Sequence, residues 1–318
     1  MRQIIVMFCS LFCLLAGPSW AEAPVVRPAP MLAPAPVVQP APAAPNRGAL
    51  FKVEQGDRTL YVFGTIHVGA REFYPLEPRL AGLLKKAPVL ALEIDPLGDQ
   101  QRLARALQKY GMALKGGPSV ASLSPDWRRR LDRLLKQYSI APESVNTMRP
   151  WMLASMLTVG EFTAQGYDPA LAVDSYLARQ AHDSGQRVVE LESPEGQMAL
   201  FGKLTSAEQL QFLQEAIAGI EDKGQADQSR EIADAWRHAD VKALDTLAVN
   251  AAADRSVSGR FVQRVLLDGR NPALADAMMR LMARENNSLA AIGVLHLVGK
   301  GSVPELLRKR GLKVERIY

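Results

Sequence analysis

The feature that most constrains the fold is a pattern that occurs once near each end of the chain. Each copy contains a strand-like run, a Gly-x-x-His motif, a helical stretch and a second strand-like run, and the copies occupy residues 61–93 and 290–317. The two motifs are Gly64-x-x-His67 and Gly293-x-x-His296. Because strand–helix–strand units add their strands to a common sheet, the repetition predicts one sheet assembled from both ends of the chain.

The sequence between these ends has a mostly helical pattern, over about residues 99–284. Ser124-Pro125-Asp126 has the residue types that begin a helix, and Ser206 followed by Glu208 begins another. One interruption, residues 187–192, is predicted as a third core strand. The predicted fold class is therefore α/β, with a central sheet built from two βαβ-like Gly-x-x-His units and a large, mostly helical insertion between them.

Individual elements are also predicted around the two motifs. Two strands, at 50–54 and 59–64, flank the turn sequence Gln55-Gly56-Asp57 and predict a β-hairpin. The other predicted elements are strands at 88–94, 289–295 and 312–317 and helices at 76–87 and 303–310. Both histidine motifs are thereby placed at the end of a strand.

The first residues have the pattern of a signal peptide, predicted to span residues 1–21. A basic residue precedes an apolar run at 4–17, and small residues follow, which favours cleavage near Ala21. Both cysteines, Cys9 and Cys13, fall inside this segment. The mature chain is therefore expected to be periplasmic or secreted, without cysteine and without a transmembrane helix. An uncleaved anchor is the alternative.

A proline-rich stretch follows, and it predicts an extended spacer over residues 22–47. Eight prolines stand between Glu22 and Asn46, and proline neither donates a backbone hydrogen bond nor leaves φ free. The spacer could associate with the cell envelope, and the folded domain is predicted at 48–318. The net charge of +5, from 38 basic and 33 acidic residues, has no clustered stripe, so no nucleic-acid partner is expected.

The candidate site follows from where polar residues meet the ends of the predicted strands. Open α/β sheets bind ligands beyond the carboxyl ends of their strands. His67 and His296 lie at that edge, and Glu93 ends the strand at 88–94. The chain has only four histidines, and the other two, His182 and His238, are expected on helix surfaces.

Neutral imidazoles and carboxylates, without a thiolate, suit a divalent ion such as Mn²⁺, Co²⁺, Fe²⁺ or Zn²⁺. His67, Glu93 and His296 are therefore predicted as metal ligands, with an open position at which a bound water becomes a nucleophile. Glu192 ends the third predicted strand, where it is a further ligand, the base that takes the proton of the water, or a carboxylate paired with an arginine for structural reasons.

Two longer segments resemble the signature motifs of the TraB/PrgY/GumN family, which is grouped with the Tiki metalloproteases. They are residues 63–69 and 292–301. Shorter matches to the same family are Arg149-Pro150-Trp151, Val173-Asp174, Leu191-Glu192-Ser193 with Gln197, and Arg270-Asn271. Ala172 stands where the family usually has glycine. The resemblance covers roughly residues 48–318.

The resemblance implies a metal-dependent, peptidase-like hydrolase that uses Mn²⁺ or Co²⁺ and needs both motifs and an acidic residue. Asp174 and Arg270 are further catalytic candidates, because such side chains can orient a histidine that binds metal or stabilise an oxyanion. A salt bridge between these two side chains is the structural alternative. The expected partner is a peptide or small-molecule substrate.

Two other functions stay open for the same residues. One is a metal-free His/Glu hydrolase acting on an ester, since erythromycin esterase-like proteins are thought to share this ancestry. The other is a non-catalytic regulatory protein that binds a peptide or glycan. The sequence lacks both a His-Glu-x-x-His motif and a Gly-x-Ser-x-Gly motif, which argues against a conventional zincin and against a serine hydrolase of the usual α/β type.

Overall fold

The structure is a computed structural model that describes residues 44–113 and 117–318. The predicted signal peptide with its cysteines, and the predicted spacer as far as residue 43, lie outside the described residues. The strands are β1 Leu50–Gln55, β2 Arg58–Thr65, β3 Val89–Leu92, β4 Arg187–Glu190, β5 Ser288–Gly293 and β6 Lys313–Arg316.

Helices make up most of the remainder. They are α1 Pro78–Lys86, α2 Gln100–Gly111, α3 Pro125–Gln137, α4 Pro142–Val145, α5 Pro150–Ala164, α6 Val173–Asp183, α7 Pro194–Ala199, α8 Ser206–Glu221, α9 Gly224–Arg237, α10 Val241–Ala253, α11 Val257–Phe261, α12 Asn271–Arg284 and α13 Val303–Lys309. A π-helical turn, Val262–Leu267, follows α11. The fold is therefore mixed α/β, which confirms the predicted class at that level. In the described part of the chain no helix is both long and apolar enough to cross a membrane.

The six strands form one mixed sheet in the order β4-β3-β5-β2-β1-β6. β2, β5, β3 and β4 run parallel, while β1 is antiparallel to both of its neighbours. β5, from the end of the chain, is inserted between β3 and β2 from its beginning. Thr65 on β2 pairs with Gly293 on β5, and Leu92 on β3 pairs with Ala291. The carboxyl ends of these three strands therefore meet at one edge.

The predicted hairpin is present, because β1 and β2 pair in register around a turn in which Gly56 has φ of 60°. The strand predicted at 289–295 stops at Gly293, and Val294–His296 forms a 3-10 turn instead. The run predicted at 187–192 forms a strand over Arg187–Glu190, but the prediction of a core strand is wrong. β4 lies at the edge of the sheet, and its side chains are half-buried or exposed.

The helical part of the chain contacts the edge of the sheet where β2 ends. Trp236 on α9 is fully buried, and its Nε1 donates a hydrogen bond of 2.8 Å to the carbonyl oxygen of Gly64. A Cβ added to Gly64 would lie 2.9 Å from the side chain of Val294. Because that distance is shorter than ordinary carbon contacts, glycine is needed for β2 to approach the turn that carries His296.

Glu77, which precedes α1, is a buried carboxyl that makes the stability of the fold depend on pH. Among the described residues neither of its carboxylate oxygens has a hydrogen-bond partner. Burial raises the pKa of Glu77 to about 7, against smaller lowering effects from its own backbone N–H and from Arg47. Between the ordinary pKa and about 7 the folded state binds more protons than the unfolded state, so the free energy of unfolding falls as pH rises through this window.

We expect Glu77→Gln to remove this dependence, because the amide stays neutral at every pH. At pH 8 the variant should be more stable than the parent chain by up to roughly 3 kcal/mol, since one unit of pKa shift corresponds to about 1.4 kcal/mol. Urea unfolding at pH 5 and pH 8 measures the effect. Glu72→Gln, at a nearby exposed carboxylate, is the control. Equal slopes with pH in the parent chain and Glu77→Gln would contradict the assignment.

Candidate functional site

The three predicted metal ligands meet at the edge where β2, β3 and β5 end. His67 lies two residues after β2, Glu93 directly follows β3, and His296 ends the 3-10 turn after β5. All three are buried, with 4%, 3% and 2% of their surface exposed. The strand register explains this convergence, since each side chain leaves a neighbouring parallel strand at the same level.

Gly293 lies at the centre of these three side chains. A Cβ placed on it would be 3.2 Å from His67 Nε2, 3.3 Å from Glu93 Oε1 and 3.7 Å from His296 Cδ2. Its backbone N–H donates a hydrogen bond of 2.6 Å to Glu93 Oε1, and this oxygen lies 4.0 Å from His296 Nε2. The missing side chain therefore leaves room between two imidazole nitrogens and a carboxylate oxygen.

Asp174 fixes the orientation of His67. Its Oδ2 lies 2.7 Å from His67 Nδ1, and its Oδ1 accepts a hydrogen bond of 2.6 Å from Thr65 Oγ1. A carboxylate only accepts, so Nδ1 carries a proton, and in the neutral ring the lone pair lies on Nε2, towards Gly293. Burial lowers the pKa of His67, but Asp174 raises it through its charge and its hydrogen bond, and the net shift is upward.

Asn271 has the corresponding position beside His296. Its Oδ1 lies 2.6 Å from His296 Nδ1, while its Nδ2 donates to the carbonyl oxygen of Gly301 at 2.8 Å. The amide orientation therefore gives His296 a proton on Nδ1 and a lone pair on Nε2. Burial and the nearby charge of Arg270 lower the pKa of His296 to about 3, so this imidazole is neutral at physiological pH.

Arg270 joins two carboxylates in the same buried region. Its Nη2 donates to both Glu93 and Glu192, and its Nε lies 3.1 and 3.0 Å from the two oxygens of Glu192. Gln197 Nε2 donates to the same two carboxylates, at 3.2 and 2.9 Å. Burial raises the pKa of Glu93, but Arg270, both imidazoles and the N–H of Gly293 lower it well below the ordinary value. Glu93 is therefore ionised.

All six side chains singled out in the sequence thus lie in one cluster, which we call the edge cluster: His67, Glu93, Asp174, Glu192, Arg270 and His296. Asp174 contacts His67, whereas Arg270 contacts the two glutamates. Glu192 pairs with Arg270, which is compatible with each of the alternatives raised for it. No roles were predicted for Thr65, Gln197 and Asn271, although all three stand in segments that carried the resemblance.

The edge cluster has the donor chemistry of a divalent-metal site. Each imidazole has its Nδ1 held by an oxygen and its Nε2 turned inward, which is the usual arrangement of metal-binding histidines. Glu93 would supply an oxygen. As they stand, however, no three or more His, Cys, Asp or Glu side chains within 44–113 and 117–318 are grouped so as to hold an ion. The residues therefore fit a metal by chemistry, and coordination requires some movement of their side chains.

The two remaining histidines lie at the surface. His182, on α6, pairs through Nε2 with Asp95 at 2.8 Å and is 43% exposed. His238 directly follows α9, is exposed, and its Nδ1 lies 2.9 Å from the carbonyl oxygen of Asp234. Both positions agree with the expected helix surfaces.

Gly293→Ala is a direct test of the space at the centre of the edge cluster. The added methyl group would lie within 3.4 Å of His67 Nε2 and Glu93 Oε1, so we expect at least a tenfold loss of any activity or metal affinity with a smaller effect on stability. Gly82→Ala, on α1 with nothing within 4 Å of the added Cβ, is the matched control, and it should be as stable as the parent chain or more so. Unchanged function in Gly293→Ala would place the reacting groups elsewhere.

Fold and site together define a mixed α/β protein with a buried cluster of imidazoles, carboxylates and one guanidinium at the carboxyl ends of its parallel strands. The chain belongs to the TraB/PrgY/gumN family, whose sequence model matches residues 49–316. This confirms the resemblance described above.

Two relatives are similar to the chain over most of its length. Each is named "Uncharacterized protein YbaP", one from Escherichia coli (strain K12) and one from Shigella flexneri. Each is 24% identical over 258 residues, which cover 80% of this chain and 89% of the relative. No solved structure matches the chain. The comparisons therefore establish the family but not the reaction.

Proposed function

We propose that the chain is an exported, metal-dependent hydrolase of peptidase type, with the edge cluster as its reacting centre. The observation that carries the proposal is the convergence of His67 Nε2, His296 and Glu93 Oε1 around Gly293, with the Nδ1 of each ring held by an oxygen. In this proposal the two Gly-x-x-His motifs supply one imidazole each. Mn²⁺ or Co²⁺ is the proposed ion, with Fe²⁺ or Zn²⁺ as substitutes.

His67 and His296 would hold the ion through Nε2, and Glu93 would hold it through a carboxylate oxygen. When bound, the ion would polarise the substrate carbonyl and lower the pKa of a water molecule. Two other residues of the edge cluster keep these ligands in the state that binds a metal. Asp174 keeps the proton of His67 on Nδ1, and Arg270 keeps Glu93 ionised by holding a positive charge beside it.

Glu192 is the proposed base that takes the proton of the water. Its side chain is 14% exposed, against 3% for Glu93, so a substrate or water reaches it more easily. Its two oxygens accept from Arg270 and Gln197, which hold the carboxylate in place. Arg270 also carries a positive charge close to where a tetrahedral oxyanion would form.

A metal-free hydrolase acting on an ester is the second candidate, and two observations favour it. The hydrogen-bonded pair of Asp174 and His67 is the arrangement by which a carboxylate orients a general base. In addition, Arg270 already neutralises Glu93, which lowers its value as a metal ligand. Here His67 Nε2 would take the proton from the attacking water, and Arg270 would stabilise the oxyanion.

The test begins with the full chain purified without chelators. Elemental analysis is expected to find one divalent metal per chain, which the double variant His67→Ala/His296→Ala should lose. Peptide and ester libraries are then assayed with Mn²⁺, with Co²⁺ and after exhaustive chelation. Peptide cleavage that needs metal and both histidines supports the first candidate, and ester turnover that survives chelation supports the second. Binding of a peptide or glycan without turnover under any of these conditions would overturn both.

Export is proposed from residues 1–21 alone, and the spacer is the proposed contact with the cell envelope. Fractionation of cells that express the full chain shows which compartment holds the protein. Sequencing of the mature N-terminus shows whether and where the chain is cleaved. A mature chain that begins at Glu22 in the periplasm or medium is expected. Retention of Met1 on cytoplasmic protein would contradict export, and its retention on membrane-associated protein would indicate an uncleaved anchor.

A further inference from the structure

A cleft lies on the Nδ1 side of His296, where Leu295 and Asn271 belong to its lining. Its volume is about 600 Å³, and it is bordered by α10, the π-helical turn Val262–Leu267 and the loop Gly299–Gly301. Its inner wall includes Asn271, the residue whose Oδ1 meets His296 Nδ1. Small-molecule sites have volumes of roughly 300–1,000 Å³, so the cleft has the size of a ligand site.

The lining of this cleft is apolar on its walls and charged towards solvent. The apolar residues include Ala248, Val249, Ala252, Leu267, Leu295 and Leu306. The charged residues are Arg264, Lys300 and Asp268. Asp268 accepts a hydrogen bond of 2.8 Å from Gln263, whereas Arg264 is exposed and has no ion pair within the part of the chain that the structure describes. The carboxylate of Glu305 lies near Lys300 and is paired with Lys309. Three cations against two anions around the cleft leave one positive charge, which favours a ligand with an apolar body and a single negative charge.

The backbone around the cleft holds Lys300 in place. Gly299 and Gly301 have φ of 74° and 73°, a conformation that glycine adopts without strain. A Cβ on Gly299 would lie 2.7 Å from the Cβ of Ala248, so the loop lies directly against α10. Asn271 Nδ2 binds the carbonyl oxygen of Gly301, and one side chain therefore connects the loop to His296.

The opposite border is the π-helical turn. Turns of this type are rare and occur frequently at functional sites, because the wider turn displaces side chains from regular helical positions. This turn carries Arg264 and Leu267, one cationic and one apolar residue of the lining. Its presence is a second observation, independent of the volume and charge of the cleft, that points to ligand binding.

We propose that this cleft binds a small carboxylate with an apolar body. The carboxylate lies between Arg264 and Lys300, and the apolar part lies between α10 and Leu295. A free acyl carboxylate and the carboxyl terminus of a short apolar peptide share this chemistry. The site is separate from the reacting side of His296, so it does not depend on the proposed hydrolase activity.

Binding is measured by calorimetry on the full chain with decanoate, decanol and N-acetyl-leucyl-leucine. Decanoate or the acetylated peptide is expected to bind, and whichever binds more tightly identifies the source of the carboxylate. Decanol should bind at least tenfold more weakly than decanoate. The double variant Arg264→Glu/Lys300→Glu should weaken binding of the acids at least tenfold, whereas Lys242→Glu, an exposed lysine on α10 outside the lining, should leave it unchanged.

Proton NMR of the imidazole N–H groups locates the ligand. Because Asn271 connects the cleft to His296, the acid is expected to shift the resonance of the proton on His296 Nδ1. Ala252→Trp, which fills the cleft, should abolish both the shift and the binding, and circular dichroism checks that each variant is folded. Failure of both acids to bind, equal affinity for decanoate and decanol, equal affinity in the charge-reversal variant, or binding without the His296 shift would each overturn the proposal.

Discussion

Replacing Arg270 with methionine is expected to lower the free energy of unfolding by about 3–5 kcal/mol, because it leaves two buried carboxylates without their cation. Glu93 and Glu192 both contact Arg270, whose side chain is only 5% exposed. The pKa of Arg270 is raised above its ordinary value by these two carboxylates, which outweigh the effect of burial. Urea unfolding of the parent chain and the variant measures the difference.

The chain contains a matched control for this prediction. Arg102 also bridges two glutamates, Glu190 and Glu195, at 2.8 and 3.0 Å, but its side chain is 35% exposed. Water screens this bridge, so Arg102→Met should cost less than about 1 kcal/mol. Equal costs at the two positions would contradict the assignment of Arg270 as a buried counter-ion.

A second comparison separates loss of charge from loss of packing. Changing both Glu93 and Glu192 to glutamine in the Arg270→Met background removes the unpaired charges while keeping similar shapes. We expect this triple variant to recover a large part of the lost stability. If it unfolds as easily as the single variant, packing of the apolar part of the Arg270 side chain contributes more to stability than its charge does.

The elements that the sequence predicted well are those specified by local chemistry. The turn around Gly56 predicted the first hairpin, and Ser124 does cap α3, with its side chain accepting from the backbone N–H of Trp127. The helix predicted to begin near Ser206 begins there, although Thr205 is its cap and forms the reciprocal pair with Glu208. Each of these features depends on residues that are close in sequence.

Features that depend on contacts between distant parts of the chain were harder to predict from the sequence. The pattern Arg187-Val-Val-Glu190 suits a central strand as well as an edge strand, and only the order of the sheet puts β4 at the edge. Asn271 belongs to a segment that resembles the family, but its contact with His296 was not predictable, because it depends on α12 beginning beside the turn that carries His296. The convergence of His67, Glu93 and His296 was predictable because a parallel sheet brings its strand ends together whatever lies between them in sequence.

The balance of charge in the edge cluster was also not predictable from the sequence. Glu93 as a lone carboxylate beside two imidazoles predicts a metal ligand, whereas Glu93 in contact with Arg270 is already neutralised. The sequence places Arg270 far from Glu93 along the chain and gives no distance between them. The choice between the two proposed reactions, one metal-dependent and one metal-free, therefore depends on an interaction that only the fold creates.

The size of the effect of Asp174→Asn is expected to distinguish these two reactions. Asparagine keeps the shape of the side chain but removes its charge, and its amide N–H can face His67 Nδ1 and move the ring proton to Nε2. If His67 is a metal ligand, removing the group that orients it should cost about 10–100-fold in metal affinity or activity, and excess metal should restore most of the rate. If His67 is the general base, kcat should fall by about 10⁴-fold at any metal concentration, because a base with the proton on the reacting nitrogen cannot accept another.

Asp183→Asn provides the control for this measurement, because Asp183 lies on the same helix, α6, and is exposed. It should change neither metal affinity nor kcat. Nitrogen NMR of His67 gives a readout that does not require turnover, since its tautomer should change in Asp174→Asn and stay unchanged in Asp183→Asn. A fully active Asp174→Asn with the parent tautomer would show that the hydrogen bond between Asp174 and His67 only supports the fold. In that case the reacting role would pass to His296, whose neutral ring is oriented by an amide and does not need a carboxylate partner.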